Sequence, residues 1–371
     1  MRNVLFVTWD GGGNVPPALG IASELRERGH PVGFLGHAQQ RAVIEAAGFR
    51  FTPYTHARPW SSAEPAAGLS AAARVFSMFT DPGPGTDLLQ TLDREPAAAI
   101  VIDCMSLGAL RAAAQARLPR AVLVHTYYRY LTHSWSRGPI GAFARLRGQN
   151  PVRLWESAGL LLVATDPDLD PMRRRDLPLT LRHTGVVQPA PLPPVRVPGA
   201  RPRVLVSLST TFFPRQERAL QTIIGALGPL PLDAVVTTGF AIDPGRLRTA
   251  PNIELHRYLP HAHVMPAVSL VIGHGGHATT MRALAHGLPL VILPMHPMLD
   301  QKMIGNSVAA RGAGIVLPAT APAGRIAAAV QQLLTPGPHT AAAARIGAAL
   351  RARNGAAQAA DHLSALLLRS I

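Results

Sequence analysis

Lysine occurs once in these 371 residues, at Lys302, and cysteine once, at Cys104. A single cysteine excludes an internal disulfide. Cys104 lies in an apolar run and reads as a small buried residue rather than a nucleophile. Cysteine usage fits a reducing, cytoplasmic location. Long apolar runs are missing too. "LVIL" before Pro294 and "LSALLL" near the end fall far short of the roughly 20 residues of a membrane span. The opening "MRNVLFVTWDGGG" has no small-residue cleavage site and reads as a first buried strand, not a signal peptide. Acidic residues are scarce, 21 against 36 basic ones, for a net charge of +15. The other 35 basic residues are scattered arginines, adjacent only in "RRR" at 173–175. Without a basic run interleaved with aromatics, nucleic acid is not the expected partner.

What is present is apolar content of 47%, the mark of a globular chain, in a length that suggests two domains. Short apolar runs alternate with Ala/Leu/Arg helical patterns, the signature of βαβ units and parallel sheets. In the first half strands are expected at 3–8, 32–35, 99–102, 121–124 and 160–164, and helices at 16–29, 38–47, 106–117 and 140–156. "QPAPLPPVRVPGARPR", 188–203, is too proline-rich for an internal element and reads as a linker. The pattern then restarts, with strands at 204–208, 234–237, 253–255, 270–272, 290–292 and 315–316 and helices at 215–227, 278–286 and 303–311. Residues 56–86 and 127–150 fit no strand. They hold Trp60, Phe76, Phe79, Tyr127, Tyr128, Tyr130 and Trp135, which either wall a pocket for an apolar ligand or pack under long loops.

Two glycine-rich turns carry the chemistry. "TWDGGGNVPPAL", Thr8–Leu19, follows the first strand, and "GHGGHATT", Gly273–Thr280, follows a strand of the second half. Glycines let the backbone approach an anion, and a helix start offers unpaired N–H groups. His274, Thr279 and Thr280 add donors, so Gly273–Thr280 is a plausible diphosphate cradle. No Gly-Lys-Ser/Thr follows, so it is not a Walker loop.

Gly273–Gln301, with His-Gly-Gly, small residues and Thr, a helix, Gly-x-Pro, a strand, Pro and Asp-Gln, resembles the nucleotide-sugar signature of family 1 glycosyltransferases of the bacterial secondary-metabolite type. "GGGNVPPALGIASELRERGHPV" and "NIELHRYLPHAHVMPAVSLVIGHGG" are similar to other segments of that family, so the resemblance spans essentially the whole chain. It implies the GT-B fold: two Rossmann-like α/β domains whose parallel sheets face across a cleft. It implies an acceptor-binding domain at 1–187, the linker 188–203, a nucleotide-sugar-binding domain at 204–355, and a C-terminal helix, 356–371, packed back on the first domain. The activity implied is inverting transfer of a sugar from a nucleotide-sugar to a small, largely apolar acceptor of secondary metabolism. Leaving-group charge is neutralised by the protein, with neither metal nor cofactor.

By the same resemblance His274, Gly275, Gly276, Thr279 and Thr280 hold the diphosphate, and Ser209 and Thr210 supply the second loop near it. Tyr258 stacks on the base, Leu259 offers its backbone to the base edge, and Asp300 and Gln301 bind sugar hydroxyls. Two departures stand out. Relatives that use UDP-sugars commonly carry a Glu for the ribose hydroxyls where this chain has Arg282, which cannot accept a hydrogen bond. A dTDP-sugar, lacking the 2′-OH, is therefore expected over a UDP-sugar, with a deoxysugar as its cargo. Asp300 also lies two residues further from His274 than is usual.

The family's base, commonly His, aligns with Asn14, an amide that cannot take a proton. Asp10 in the same loop and Asp103 at a strand end are candidates. His125, ending the next strand, is also placed to contribute, and with Asn14, Tyr127 and Trp135 it is expected on the acceptor side. Alternatively, an acidic acceptor needs only positioning, or the protein binds without transferring. "TDPDLDP" at 165–171 and the histidines 261, 263, 274 and 277 imitate metal motifs but read as capped turns and donor-site groups. The rival readings are a nucleotide-sugar epimerase of the same fold and a non-catalytic helper. Oligomeric state is left open.

Overall fold

A computed structural model describes residues 2–64, 68–188 and 201–369. The chain divides into two compact units. The first comprises Met1–Ser61, Ala67–Ala190 and Asn354–Ile371, and the second comprises Ser62–Ala66 and Pro191–Arg353. Most of the expected linker, 189–200, lies outside the described residues.

The first unit is built on seven parallel strands: β1 (Val4–Val7), β2 (Val32–Gly36), β3 (Arg50–Pro53), β4 (Ala99–Asp103), β5 (Arg120–Val124), β6 (Leu160–Val163) and β7 (Leu181–His183). Their order is β3-β2-β1-β4-β5-β6-β7. β1, β2, β4, β5 and β6 are buried along their whole length, as in a sheet covered by helices on both faces. β1 pairs with both β2 and β4, Phe6 opposite Phe34 and Val101. The strand order therefore reverses beside β1, and in open α/β sheets ligands bind beyond the strand ends at that reversal.

The last helix, Gly355–Arg369, belongs to this unit. It sends Ala359, Ala360, Leu363 and Leu367 into the same core as Ile21, Ala22 and Leu25 of helix Val15–Glu27. Arg28 fastens the two helices, donating to Asp361 Oδ1 at 2.6 Å and to the Ala357 carbonyl at 3.1 Å.

The second unit repeats the plan. β8 (Arg203–Ser207), β9 (Asp233–Thr237), β10 (Ile253–His256), β11 (Leu270–Gly273), β12 (Leu290–Ile292) and β13 (Gly314–Val316) form a parallel sheet in the order β10-β9-β8-β11-β12-β13. Here the reversal lies between β8 and β11. Ser207 pairs with Gly273, so the loops after both strands leave the sheet side by side.

Several elements differ from the sequence expectation. β3 and β7 are short and were not anticipated. The helix expected at 140–156 is two helices, Pro139–Leu146 and Pro151–Glu156. Gly148, at φ +71°, ends the first, and Asn150 caps the second by accepting from Arg153 N–H at 3.2 Å ahead of Pro151, both ordinary boundary signals. The irregular-looking stretch 56–86 contains helix Gly68–Phe79 and the start of helix Gly83–Arg94. The latter opens Gly-Pro-Gly, which obscures its helicity. A Cβ on Gly85 would come within 2.6 Å of the Gly108 carbonyl oxygen, so close helix packing, not turn formation, requires glycine there.

Candidate functional site

Thr8–Asn14 joins β1 to helix Val15–Glu27, and its tip is pinned from several sides. Gln40 Nε2 donates to Thr8 Oγ1 at 3.2 Å and to the Trp9 carbonyl at 2.9 Å. Tyr54 Oη donates to the Thr8 carbonyl at 2.8 Å, and Trp60 Nε1 donates to the Asp10 carbonyl at 2.8 Å. Asp10 itself is half-buried, and its backbone N–H donates to His37 Nδ1 at 3.2 Å.

Asn14 occupies the N-cap position, but its side chain caps nothing. Its Nδ2 instead donates to Thr8 Oγ1 at 3.1 Å, the Trp9 carbonyl at 3.0 Å and Asp103 Oδ2 at 3.1 Å. Asp103, at the end of β4, is 3% exposed. Its Oδ1 accepts from Trp9 Nε1 at 3.0 Å and Met105 N–H at 2.9 Å. His125 Nδ1 lies 3.0 Å from Oδ2. The carboxylate is thus satisfied by four donors, as a buried charge requires. Both of its oxygens are thereby engaged.

Burial disfavours a charged imidazole at His125, but the Asp103 carboxylate outweighs it and holds the pKa well above 6.5. Burial pushes the Cys104 thiol up. Ligand atoms of Asp103, Cys104 and His125 lie within 4.8 Å of one another, yet the set does not suit a metal. Both carboxylate oxygens are occupied by donors, and the thiol favours its protonated form.

Tyr127 and Trp135 are a correction to the sequence expectation. They are 0% and 3% exposed and sit in the core rather than on a pocket wall. Trp135 belongs to a run of rings, Trp9–Phe79–Trp135–Trp155, with centroids 5.2, 5.5 and 5.9 Å apart. Trp155 Nε1 closes the run by donating to the Cys104 carbonyl at 2.7 Å. Of the aromatics singled out in the sequence, Trp60 does line a cavity of about 500 Å³, with Arg58, Arg74 and Met78 among its neighbours.

In the second unit three loops converge beyond β8, β11 and β12. Gly275 has φ +86°, and a Cβ there would fall 2.6 Å from the Gln301 carbonyl oxygen. Only glycine meets both demands. Gly276 precedes helix His277–Ala285, whose first-turn N–H groups and positive dipole end favour negative charge in front of them. Ser209, in the loop after β8, has the rare backbone angle φ +149°, and its Oγ accepts from Thr211 N–H at 2.9 Å. Thr279 is half-buried and Thr280 fully buried.

Burial pushes His274 down to about 4, so its imidazole is neutral at pH 7. Burial and the Arg282 charge push His261 to about 4 as well, and His261 Nε2 lies 3.1 Å from Ser207 Oγ. Burial lowers Arg282 from its usual value while Tyr258 acts in the opposite sense. Arg282 thus sits within the electrostatic reach of Tyr258, His261 and His286.

Tyr258 is 52% exposed and stacks on Phe240, 54% exposed, with centroids 5.4 Å apart and planes 20° from parallel. Sequence reasoning missed Phe240, because nothing near it marks a partner some twenty residues away. Leu259 follows Tyr258 in the same loop. Gln301 differs from expectation. It is 1% exposed, and its Oε1 accepts from Met295 N–H at 2.6 Å and His296 N–H at 3.0 Å, so it shapes the loop, while the preceding Asp300 stays half-buried.

Residues 221–366 match a family described as "Erythromycin biosynthesis protein CIII-like, C-terminal domain". Over 375 residues the chain is 28% identical to 4'-demethylrebeccamycin synthase of Lentzea aerocolonigenes, a match covering 85% of this chain and 87% of that one. Among solved structures, the glycotransferase of kitacinnamycin matches with a TM-score of 0.80 at 22% identity over 99% of both chains. The glycosyltransferase VinC in complex with DTDP matches with a TM-score of 0.73 at 18% identity over 99% of this chain and 100% of that one. The structural matches establish the fold. Together with the family and sequence matches, they show a nucleotide-sugar-dependent glycosyltransferase of the GT-B fold, similar to the glycosyltransferases of antibiotic biosynthesis.

Proposed function

We propose that this glycosyltransferase uses a dTDP-sugar, with a deoxysugar as its cargo, and transfers it with inversion to a small, largely apolar acceptor. The observation that carries the donor reading is Arg282, where a carboxylate would be expected, within the electrostatic reach of Tyr258. A ribose 2′-OH would meet a guanidinium, which only donates, where a carboxylate would have accepted its proton. A neighbour of the same fold holds dTDP, in line with this choice.

In this reading the base stacks on the exposed Tyr258–Phe240 pair and meets the Leu259 backbone at its edge. The diphosphate lies against Ser209, Thr210, Gly275, Gly276, Thr279 and Thr280. His274, neutral at pH 7, donates a hydrogen bond rather than a full charge. Asp300 meets a sugar hydroxyl. Aimed N–H groups and a helix dipole take up the charge that develops on the leaving diphosphate, and no metal is needed. The first unit supplies the acceptor side, with Asp10 and Asn14 in the loop after β1.

Competition binding against a fluorescent dTDP analogue tests the donor reading. dTDP is expected to displace it at lower concentration than UDP, and Arg282→Glu to narrow or reverse that order. UDP binding more tightly than dTDP to the unsubstituted protein would overturn it.

A further inference from the structure

We propose that His125 Nε2 is the proton acceptor for the incoming nucleophile, with Asp103 as its positioning residue and Asn14 fastening Asp103. The inference rests on the transferase reading and adds to it the group that Asn14 cannot be. An Asp carboxylate only accepts, so the 3.0 Å contact fixes the His125 proton on Nδ1 and leaves the lone pair of the neutral ring on Nε2. Nε2 makes no hydrogen bond among the described residues, and the side chain keeps 12% of its surface exposed. Asp103, the other strand-end candidate, already accepts from Trp9, Met105, Asn14 and His125. Asp103 is the last residue of β4 and His125 follows the last residue of the neighbouring β5, at the strand ends where this kind of sheet collects its ligands.

Asn14 is thereby explained. Its Nδ2 donates to Oδ2, the same oxygen that faces His125. The amide holds the carboxylate in place without competing for the proton. In the step itself, the acceptor O–H or N–H gives its proton to Nε2 as its heavy atom forms a bond to the anomeric carbon. The bond from that carbon to the diphosphate oxygen breaks, and the electron pair leaves with the nucleoside diphosphate. The imidazolium formed is stabilised by Asp103 and later loses its proton to water.

The charged and titratable groups facing His125 are Asp103 and Cys104, while Asn14, at the end of the loop after β1, is neutral. The carboxylate raises the His125 pKa, so kcat is expected to climb with pH along a limb lying above 6.5. Without the carboxylate, burial dominates and the limb moves to lower pH.

The test measures acceptor-dependent dTDP release. dTDP-glucose and dTDP-rhamnose serve as donors, with phenols of graded acidity and macrolactone aglycones as acceptors. His125→Gln is expected to lower kcat by about 10²-fold or more, with dTDP affinity unchanged and the pH limb abolished. The loss should be largest for the least acidic acceptors. Asp103→Asn should shift the limb toward lower pH, and Asn14→His in the His125→Gln background should restore part of the rate. A His125→Gln enzyme that keeps both rate and pH limb overturns this inference while leaving the transferase reading intact. An unsubstituted protein that binds dTDP but releases none from any pair overturns both.

Discussion

Gly275 is the residue on which the second glycine turn depends most directly. Its φ of +86° and the 2.6 Å approach of the Gln301 carbonyl to an added Cβ oppose any side chain. Gly275→Ala is expected to cost about 1–3 kcal/mol in urea denaturation and to weaken dTDP binding at least tenfold. Unchanged stability and affinity would show that the turn tolerates a side chain and is not the cradle. The glycine signal was legible in the sequence because the physical demand is local. The role of Asn14 was legible only in part. The sequence shows that an expected base is missing, but not that the amide reaches 89 positions along the chain to Asp103. Tyr127 and Trp135 were misread for a related reason. Aromatic residues in an irregular segment suit a pocket and a core equally, and only packing separates the two.

At the level of elements, the strands buried on both faces were legible with little error, since an unbroken apolar run of four to eight residues between turn signals suits a buried strand and is too short for most helices. The edge strands β3 and β7 were not. Their exposed positions, Arg50, Thr52 and Arg182, dilute the apolar signal in runs of four and three residues. Helix Gly83–Arg94 escaped because its opening glycines serve contact with a neighbouring helix, a demand invisible to local pattern. Strand order was also beyond local reading. It is the reversal beside β1, and again between β8 and β11, that gathers Asn14, Asp103 and His125 in one unit and Ser209 and His274 in the other.

At the level of the whole molecule, buried histidines tie stability to pH in opposite directions. His261, His274 and His286 are held near 4 by burial, against 6.5 in an unfolded chain. Below pH 6.5 the unfolded state takes up the protons first, so stability falls between about 6.5 and 4, by at most about 1.4 kcal/mol per pH unit for each histidine. His125 is raised instead, so its contribution is full below 6.5 and is lost as pH rises through its folded value. Hydrogen exchange, corrected for intrinsic rates, is expected to show protection in the second unit falling from pH 7 to pH 5 more than in the first. Equal loss in both would contradict the assignment of these shifts.

The central claim, that the chain transfers sugar from a nucleotide carrier, is tested most directly by coupled detection of free dTDP and glycosylated product from dTDP-rhamnose across an acceptor library. The account predicts that dTDP appears only with an acceptor, in equal amount to product and undiminished by EDTA. Binding of the dTDP-sugar with no product from any acceptor, or release that requires a divalent metal, would contradict it.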